Sequence, residues 1–142
     1  MKIFLDTSSL IKLYHNEEGT DKLDKIFIDN VITEIFVSEI AKTEFLSAIY
    51  KKLRTKELLL QRTNDILNAF AFDEDRYTFI LINSDIINAS QKLIEKYGFH
   101  GLRALDSIQL ASVCSIGNSI DMAISGDKLL NSFLLSEGIP IL

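Results

Sequence analysis

The chain has 142 residues, 47% of them hydrophobic and 25% charged, with six Gly and one Pro, a composition that fits a single domain over residues 1–142 and excludes disordered or collagenous organisation. Twenty acidic side chains against fifteen basic ones give a formal charge of −5, which is unfavourable for coating a polyanion and excludes nonspecific nucleic-acid packaging. The lone cysteine, Cys114, permits neither an internal disulfide nor a CxxC zinc site; it suits a reducing cytoplasmic setting and leaves any metal chemistry to oxygen ligands.

In chain order, Lys2-Ile3-Phe4-Leu5 is an apolar run of strand length that Asp6 interrupts before a signal-peptide core can form. The cluster Thr7-Ser8-Ser9 supplies N-cap chemistry for a helix carrying Leu10, Ile11, Leu13 and Tyr14. Leu23, Ile26 and Phe27 keep helical spacing, and Ile32 to Val37 is β-branched and aromatic enough for a second strand. Ser38 is expected to cap a third helix, whose Ile40, Ala41, Phe45, Ala48, Ile49 and Leu53 make one buried stripe. A further helix is expected from about Glu57 to Phe72, a strand from Tyr77 to Ile82, and a helix capped by Ser84 and stopped by Gly98. Leu102 to Ile116 reads as a helix, Ile120 to Ile124 as a strand, Lys128 to Ser136 as a helix closed by Gly138, and Ile139 to Leu142 as a short edge strand that tolerates Pro140. Strands apolar throughout, alternating with helices, predict a parallel sheet covered on both faces. No apolar run is long enough to cross a bilayer.

In open α/β sheets ligands bind beyond the carboxyl ends of the strands, so polar residues there carry the most information. Asp6 ends the first strand, and Asp127 occupies the matching place after Ile124-Ser125-Gly126. Glu44, about two turns into its helix, borders the apolar stripe, and Asp106 lies among Leu105, Ser107, Ile108 and Ala111. Singly, each has an ordinary explanation: Asp6 and Asp127 as helix caps, Glu44 as a solvated charge, Asp106 as the i,i+3 partner of Arg103. Converging, they would repel one another unless protons or cations neutralised them, and an all-oxygen set selects Mg²⁺ or Mn²⁺ over zinc or copper.

These segments resemble a known family. Lys2 to Tyr14, the helix with Ser38, Glu44 and Ala48, the segment Leu102 to Ala111, and Ile124-Ser125-Gly126-Asp127-Lys128-Leu129-Leu130 look like the four motifs of PIN-domain proteins, in order and over essentially the whole chain. The nearest resemblance is to VapC-type toxin ribonucleases. It implies an α/β/α sandwich on a parallel five-stranded sheet, Mg²⁺ or Mn²⁺ held by Asp6, Glu44, Asp106 and Asp127, single-stranded RNA as substrate, a homodimer and a small antitoxin protein that blocks the site. Ser8 and Ser125 match hydroxyl positions of the family, where they would steady carboxylates or waters. Arg103 is a candidate for substrate contact. Two departures stand out: Ser125-Gly126-Asp127 where Thr-x-Asp is commoner, and Gln109 where many relatives carry His. Alternatives within the resemblance are an RNA-processing nuclease outside a toxin system and a PIN-like module kept only for binding.

Rival readings fit less well. A phosphoacceptor receiver domain requires an Asp after its central strand, where this chain has Asn83-Ser84, and a haloacid-dehalogenase-type phosphatase requires a second Asp where Ser8 stands. The basic stretch Lys51, Lys52, Arg54, Lys56 and Arg62 either guides phosphates or solvates a helix end. Phe99, between Gly98 and His100, either stacks on a base or anchors a turn, while His15 and His100 show no spacing of a metal pair.

Overall fold

In the computed structural model, which describes residues 1–142, the first apolar run forms strand β1 (Lys2–Leu5) and turns at once into helix α1 (Thr7–Lys12). Then follow α2 (Thr20–Asp29), β2 (Glu34–Ser38), α3 (Ala41–Arg54), α4 (Leu60–Phe72), β3 (Thr78–Ile80), α5 (Ser84–Tyr97), α6 (Ala104–Ser115), β4 (Met122–Ile124) and α7 (Lys128–Ser136). The strands are all parallel, in the order β3-β2-β1-β4, with Leu5 beside Val37 on one side and Ile124 on the other. Chain direction across the sheet therefore reverses at β1. The gap between the carboxyl ends of β1 and β4 is the topological switch point, where open α/β sheets place their ligands.

The expected fifth strand is not formed. Ile139 to Leu142 reaches the sheet through a single parallel bridge, Ile141 to Ala123, with the Ala123 N–H donating to the Pro140 carbonyl at 2.8 Å. Pro140 has no N–H to continue a ladder, so four strands make the sheet.

The strands are mostly apolar because both sheet faces are covered. Ile3, Leu5 and Val37 pack with Leu10, Leu23, Phe45 and Ile66 from α1 to α4, whereas Phe4, Phe36 and Ala123 pack with Leu93, Leu110 and Leu130 from α5 to α7. No helix is long and apolar enough to cross a membrane.

Helix ends account for most of the other differences from expectation. Ser38 does not cap α3: it belongs to β2, is fully buried, and its hydroxyl pairs at 2.7 Å with that of Ser112 on α6, the helix packed against the strand. Helix α3 starts from Ile40 with no side-chain cap, so Glu44 lies in its first turn rather than two turns in. The cap of α5 is Asn83, whose Oδ1 accepts the Ile86 N–H, not Ser84. Gly98 follows α5 in the right-handed region and opens a short 3₁₀ turn; the left-handed glycine is Gly101, φ 100°. Helix α7 does end as expected. Gly138 (φ 75°) donates to the Leu135 carbonyl and Ile139 to that of Leu134, a paired closure that supplies acceptors' missing partners at the helix end.

Candidate active site

Four helices point their amino-terminal ends at the carboxyl edge of the sheet, and each carries one of the acids singled out from the sequence. Asp6 is the N-cap of α1, Glu44 and Asp106 sit in the first turns of α3 and α6, and Asp127 is the N-cap of α7. Helix amino termini carry partial positive charge, which offsets part of the cost of gathering carboxylates.

Asp6 is the centre. Only 4% exposed, it accepts the Ser9 N–H at 2.7 Å, the Ser8 hydroxyl at 2.8 and 2.9 Å, and the Ser125 hydroxyl at 2.5 Å. Burial nonetheless dominates and pushes its carboxyl above the usual range, against those hydrogen bonds. Ser125 in turn accepts the Asp127 N–H at 3.0 Å, and Ser8 accepts the Gly126 N–H at 3.1 Å, so the two serines lace the loop after β4 onto Asp6. The hydroxyls thus steady a carboxylate, while capping is done by Asp6 and by Asp127, whose Oδ1 accepts the Leu129 and Leu130 N–H groups.

Glu44 is half-buried and held by Thr7 Oγ1 at 2.8 Å and Gln109 Nε2 at 2.7 Å, both donating to its Oε1. Desolvation raises its carboxyl above normal; the two donors work the other way, and the negative charges of Asp106 and Asp6 raise it further. Asp106 is raised by desolvation first, then by the charge of Asp127, with Arg103 opposing and Asp6 adding. Arg103 makes no direct ion pair with Asp106; it acts on it as a nearby charge. The acids are therefore electrostatically coupled: Asp6 with Glu44 and Asp106, Glu44 with Asp106, and Asp106 with Asp127.

Gln109, noticed in the sequence only as a departure, is the residue that joins two helices here. Buried at 3% exposure, its Nε2 reaches both Thr7 and Glu44, while its Oε1 has no partner. A Gln109→Leu substitution removes the donor and is expected to move the Glu44 carboxyl titration further up, read by carboxyl NMR of the labelled side chain; an unmoved midpoint would show that the contact does not hold Glu44.

The remaining candidates separate. Lys52 is consumed structurally, pairing with Glu17 and with Glu57, and Arg62 donates to the Tyr14 carbonyl at 3.0 Å. That Lys52 pairing brings together His15, Glu17 and Glu57, a trio with ligand atoms within 4.8 Å of one another that sequence spacing did not reveal. The Lys52 ammonium already answers both carboxylates there. Phe99 is 98% exposed, so it anchors nothing, and Cys114 is a half-buried thiol pushed up to about 11 by burial.

An all-oxygen set of three desolvated, mutually repelling carboxyls fits a hard divalent cation. The carboxylates ring the mouth of the switch point; they do not bring three oxygens within 4.8 Å of one another.

The PIN-domain family profile matches residues 3–130 of the sequence. The chain belongs to the PIN-domain family. Proteins of this family are generally nucleases that use divalent metals. Among solved structures, this PIN domain is similar in fold to VapC20 of Mycobacterium tuberculosis, described as a sarcin-ricin loop cleaving toxin: 11% identity, 92% of this chain and 94% of that one covered, TM-score 0.70. It is similar also to FitAcB of Neisseria gonorrhoeae (13% identity, 99% and 96% covered, TM-score 0.69) and to VapBC-1 of nontypeable Haemophilus influenzae (15%, 100% and 97%, TM-score 0.67). No curated protein sequence matches the chain. At these identities the likeness concerns the fold.

Proposed function

We propose that this PIN domain is a Mg²⁺- or Mn²⁺-dependent endoribonuclease that hydrolyses phosphodiester bonds of single-stranded RNA, acting as the toxin of a toxin–antitoxin pair. The observation that carries the reading is the gathering of buried Asp6 with Glu44, Asp106 and Asp127 at the amino-terminal ends of four helices by the switch point, where a bound cation would offset the repulsion among the acids. Toxin–antitoxin complexes among the structural neighbours support the cellular role, a small antitoxin partner and a homodimer.

In this reading Asp6 and Asp106 would be the principal metal ligands, with Glu44 and Asp127 completing the set, and the ion they hold would supply Lewis acidity for a water and for the phosphate oxygens. The chain's own groups do the rest. Ser8, Ser125 and the Ser9 N–H fix both Asp6 oxygens, so that carboxylate is oriented before anything binds. Thr7 and Gln109 direct one Glu44 oxygen, leaving Oε2 free to take a proton from water or steady it. Arg103, the exposed N-cap residue of α6, would meet substrate phosphate in this reading. Cleavage leaves a 5′-phosphate and a 3′-hydroxyl.

The test is cleavage of labelled single-stranded RNA with Mg²⁺ or Mn²⁺, beside EDTA and the Asp106→Asn protein. Metal-dependent cuts lost in both controls are expected. Equal cleavage by the folded Asp106→Asn protein would remove this site from the chemistry.

A further inference from the structure

Every lysine of the chain except one is either exposed to solvent or paired with a carboxylate. The exception is Lys12, at the last turn of α1, half-buried and with no ion pair or hydrogen bond. Its ammonium has no carboxylate within ion-pair distance, so its charge is available to an anion entering from solvent.

Its surroundings say where that anion lies. A Cβ built on Gly126 would stand 2.9 Å from Lys12 Nζ and 3.1 Å from Ser8 Oγ, the hydroxyl bonded to Asp6. A Cβ on Gly19, on the opposite side, would stand 3.2 Å from the same Nζ. Two glycines thus leave room for the ammonium beside the acid centre. It overlooks a cleft of about 670 Å³ on the β4 side of the switch point, whose lining includes Ser9, Ser125 and Gly126 together with Lys12, Lys22 and Lys128. The acids of that cleft, Glu18 and Asp21, are both exposed and neither reaches Lys12. The cleft lining sets three lysines against two acids, a small local excess of positive side chains in a chain of net charge −5.

We propose that Lys12 and this cleft form a backbone-phosphate subsite, which holds a nucleic-acid strand by a phosphate next to the one presented to the acids. The inference rests on the proposed function for the nature of the strand and adds the residue that anchors it. Lys12 is a positioning residue. Its charge offsets one phosphodiester, while Lys22 and Lys128 on the cleft wall attract the strand beyond.

The experiment measures binding of an eight-nucleotide single-stranded RNA to the Asp106→Asn protein by fluorescence anisotropy over a range of KCl concentrations, with Lys12→Met and Lys12→Arg added in that background. Lys12→Met is expected to weaken binding roughly tenfold and to lower the slope of log affinity against log salt by about 0.7, the value for one phosphate on a single strand, with Lys12→Arg restoring most of both. In a second arm, one backbone phosphate at a time is replaced by a neutral methylphosphonate. One position should cost the Lys12 protein affinity and cost the Lys12→Met protein nothing. An unchanged slope, or equal costs at every position in both proteins, overturns the subsite. So does loss of Mn²⁺ binding in Lys12→Met with RNA affinity intact, since Lys12 would then act only on the acids. Displacement of RNA by millimolar inorganic phosphate through Lys12, without dependence on strand length, would assign the cleft to a free anion instead and equally overturn the strand anchor. Cleavage by the unaltered chain is scored separately: no cleavage with Lys12-dependent binding retires the nuclease reading and keeps this one, and cleavage with Lys12-independent binding does the reverse.

Discussion

Asp6→Asn is expected to lower metal-dependent RNA cleavage by roughly a thousandfold or more, the scale of losing several kcal/mol of transition-state charge stabilisation. The same substitution should make the metal-free protein more stable. Burial holds the Asp6 carboxyl above its ordinary pKa, so its protonated form is the one the fold favours. Stability from such a group is fully present below its unfolded pKa and is lost as pH rises through the raised folded value. Asn is neutral throughout and keeps an acceptor for the Ser9 N–H, so the gap between variant and original protein should open as pH rises and narrow on acidification. Urea denaturation at pH 4 and pH 8 in EDTA reads this directly. A gap that shrinks as pH rises would mean that the ionised form is the stabilised one, and the burial argument would be wrong. Adding Mn²⁺ should reverse the order, because only the original protein has a full ligand set to be stabilised by the ion.

Phe45→Ala is expected to cost about 3–5 kcal/mol, a large part of the roughly 5–15 kcal/mol that holds a domain of this size together. Phe45 is fully buried, stacks on Phe70 with ring centroids 4.1 Å apart, and takes the Tyr14 ring edge-on at 5.5 Å. Tyr14 is itself fixed, its hydroxyl donating to Asp73 at 3.2 Å and accepting from that of Tyr77 at 2.5 Å, so neighbouring rings cannot collapse freely into the space left behind. Phe45→Leu keeps more volume and should cost markedly less. Because Phe45 follows Glu44 on α3, the Ala variant should also lose activity at temperatures where it is still folded. Denaturation midpoints within about 1 kcal/mol of the original protein for Phe45→Ala would show that the cluster does not lock α3.

Much of this architecture is legible in the sequence because its cause is local. The apolar runs at Lys2 to Leu5 and Met122 to Ile124 are strands since both of their faces are buried, and α7 ends where Gly138 permits a left-handed closure. The placement of the acids is legible for a related reason: Asp6 and Asp127 follow strands, and Glu44 and Asp106 fall in the first turns of the helices read around them. What escaped is set by contacts between distant segments. Ser38 has cap-forming chemistry, but its hydroxyl is spent on Ser112, 74 residues away. Gln109 meets Glu44 across 65 residues, and His15 meets Glu57 through the turn after α3; no periodicity reports such pairs. The terminal strand failed for a reason already in the sequence, since Pro140 supplies a carbonyl but no N–H.

The lacing of Ser125 to Asp6, residues 119 apart, fixes when the site comes into being. Contacts that close loops of this length carry the largest entropic cost and form late, after nearby helices and hairpin-scale units have settled. A chain synthesised only as far as residue 120 has β1 and its Asp6 but neither β4 nor the Ser125 and Asp127 that complete the edge. On the proposed reading, a chain that stops short of Ser125 holds Asp6 without the hydroxyl that steadies it, so its catalytic edge is incomplete.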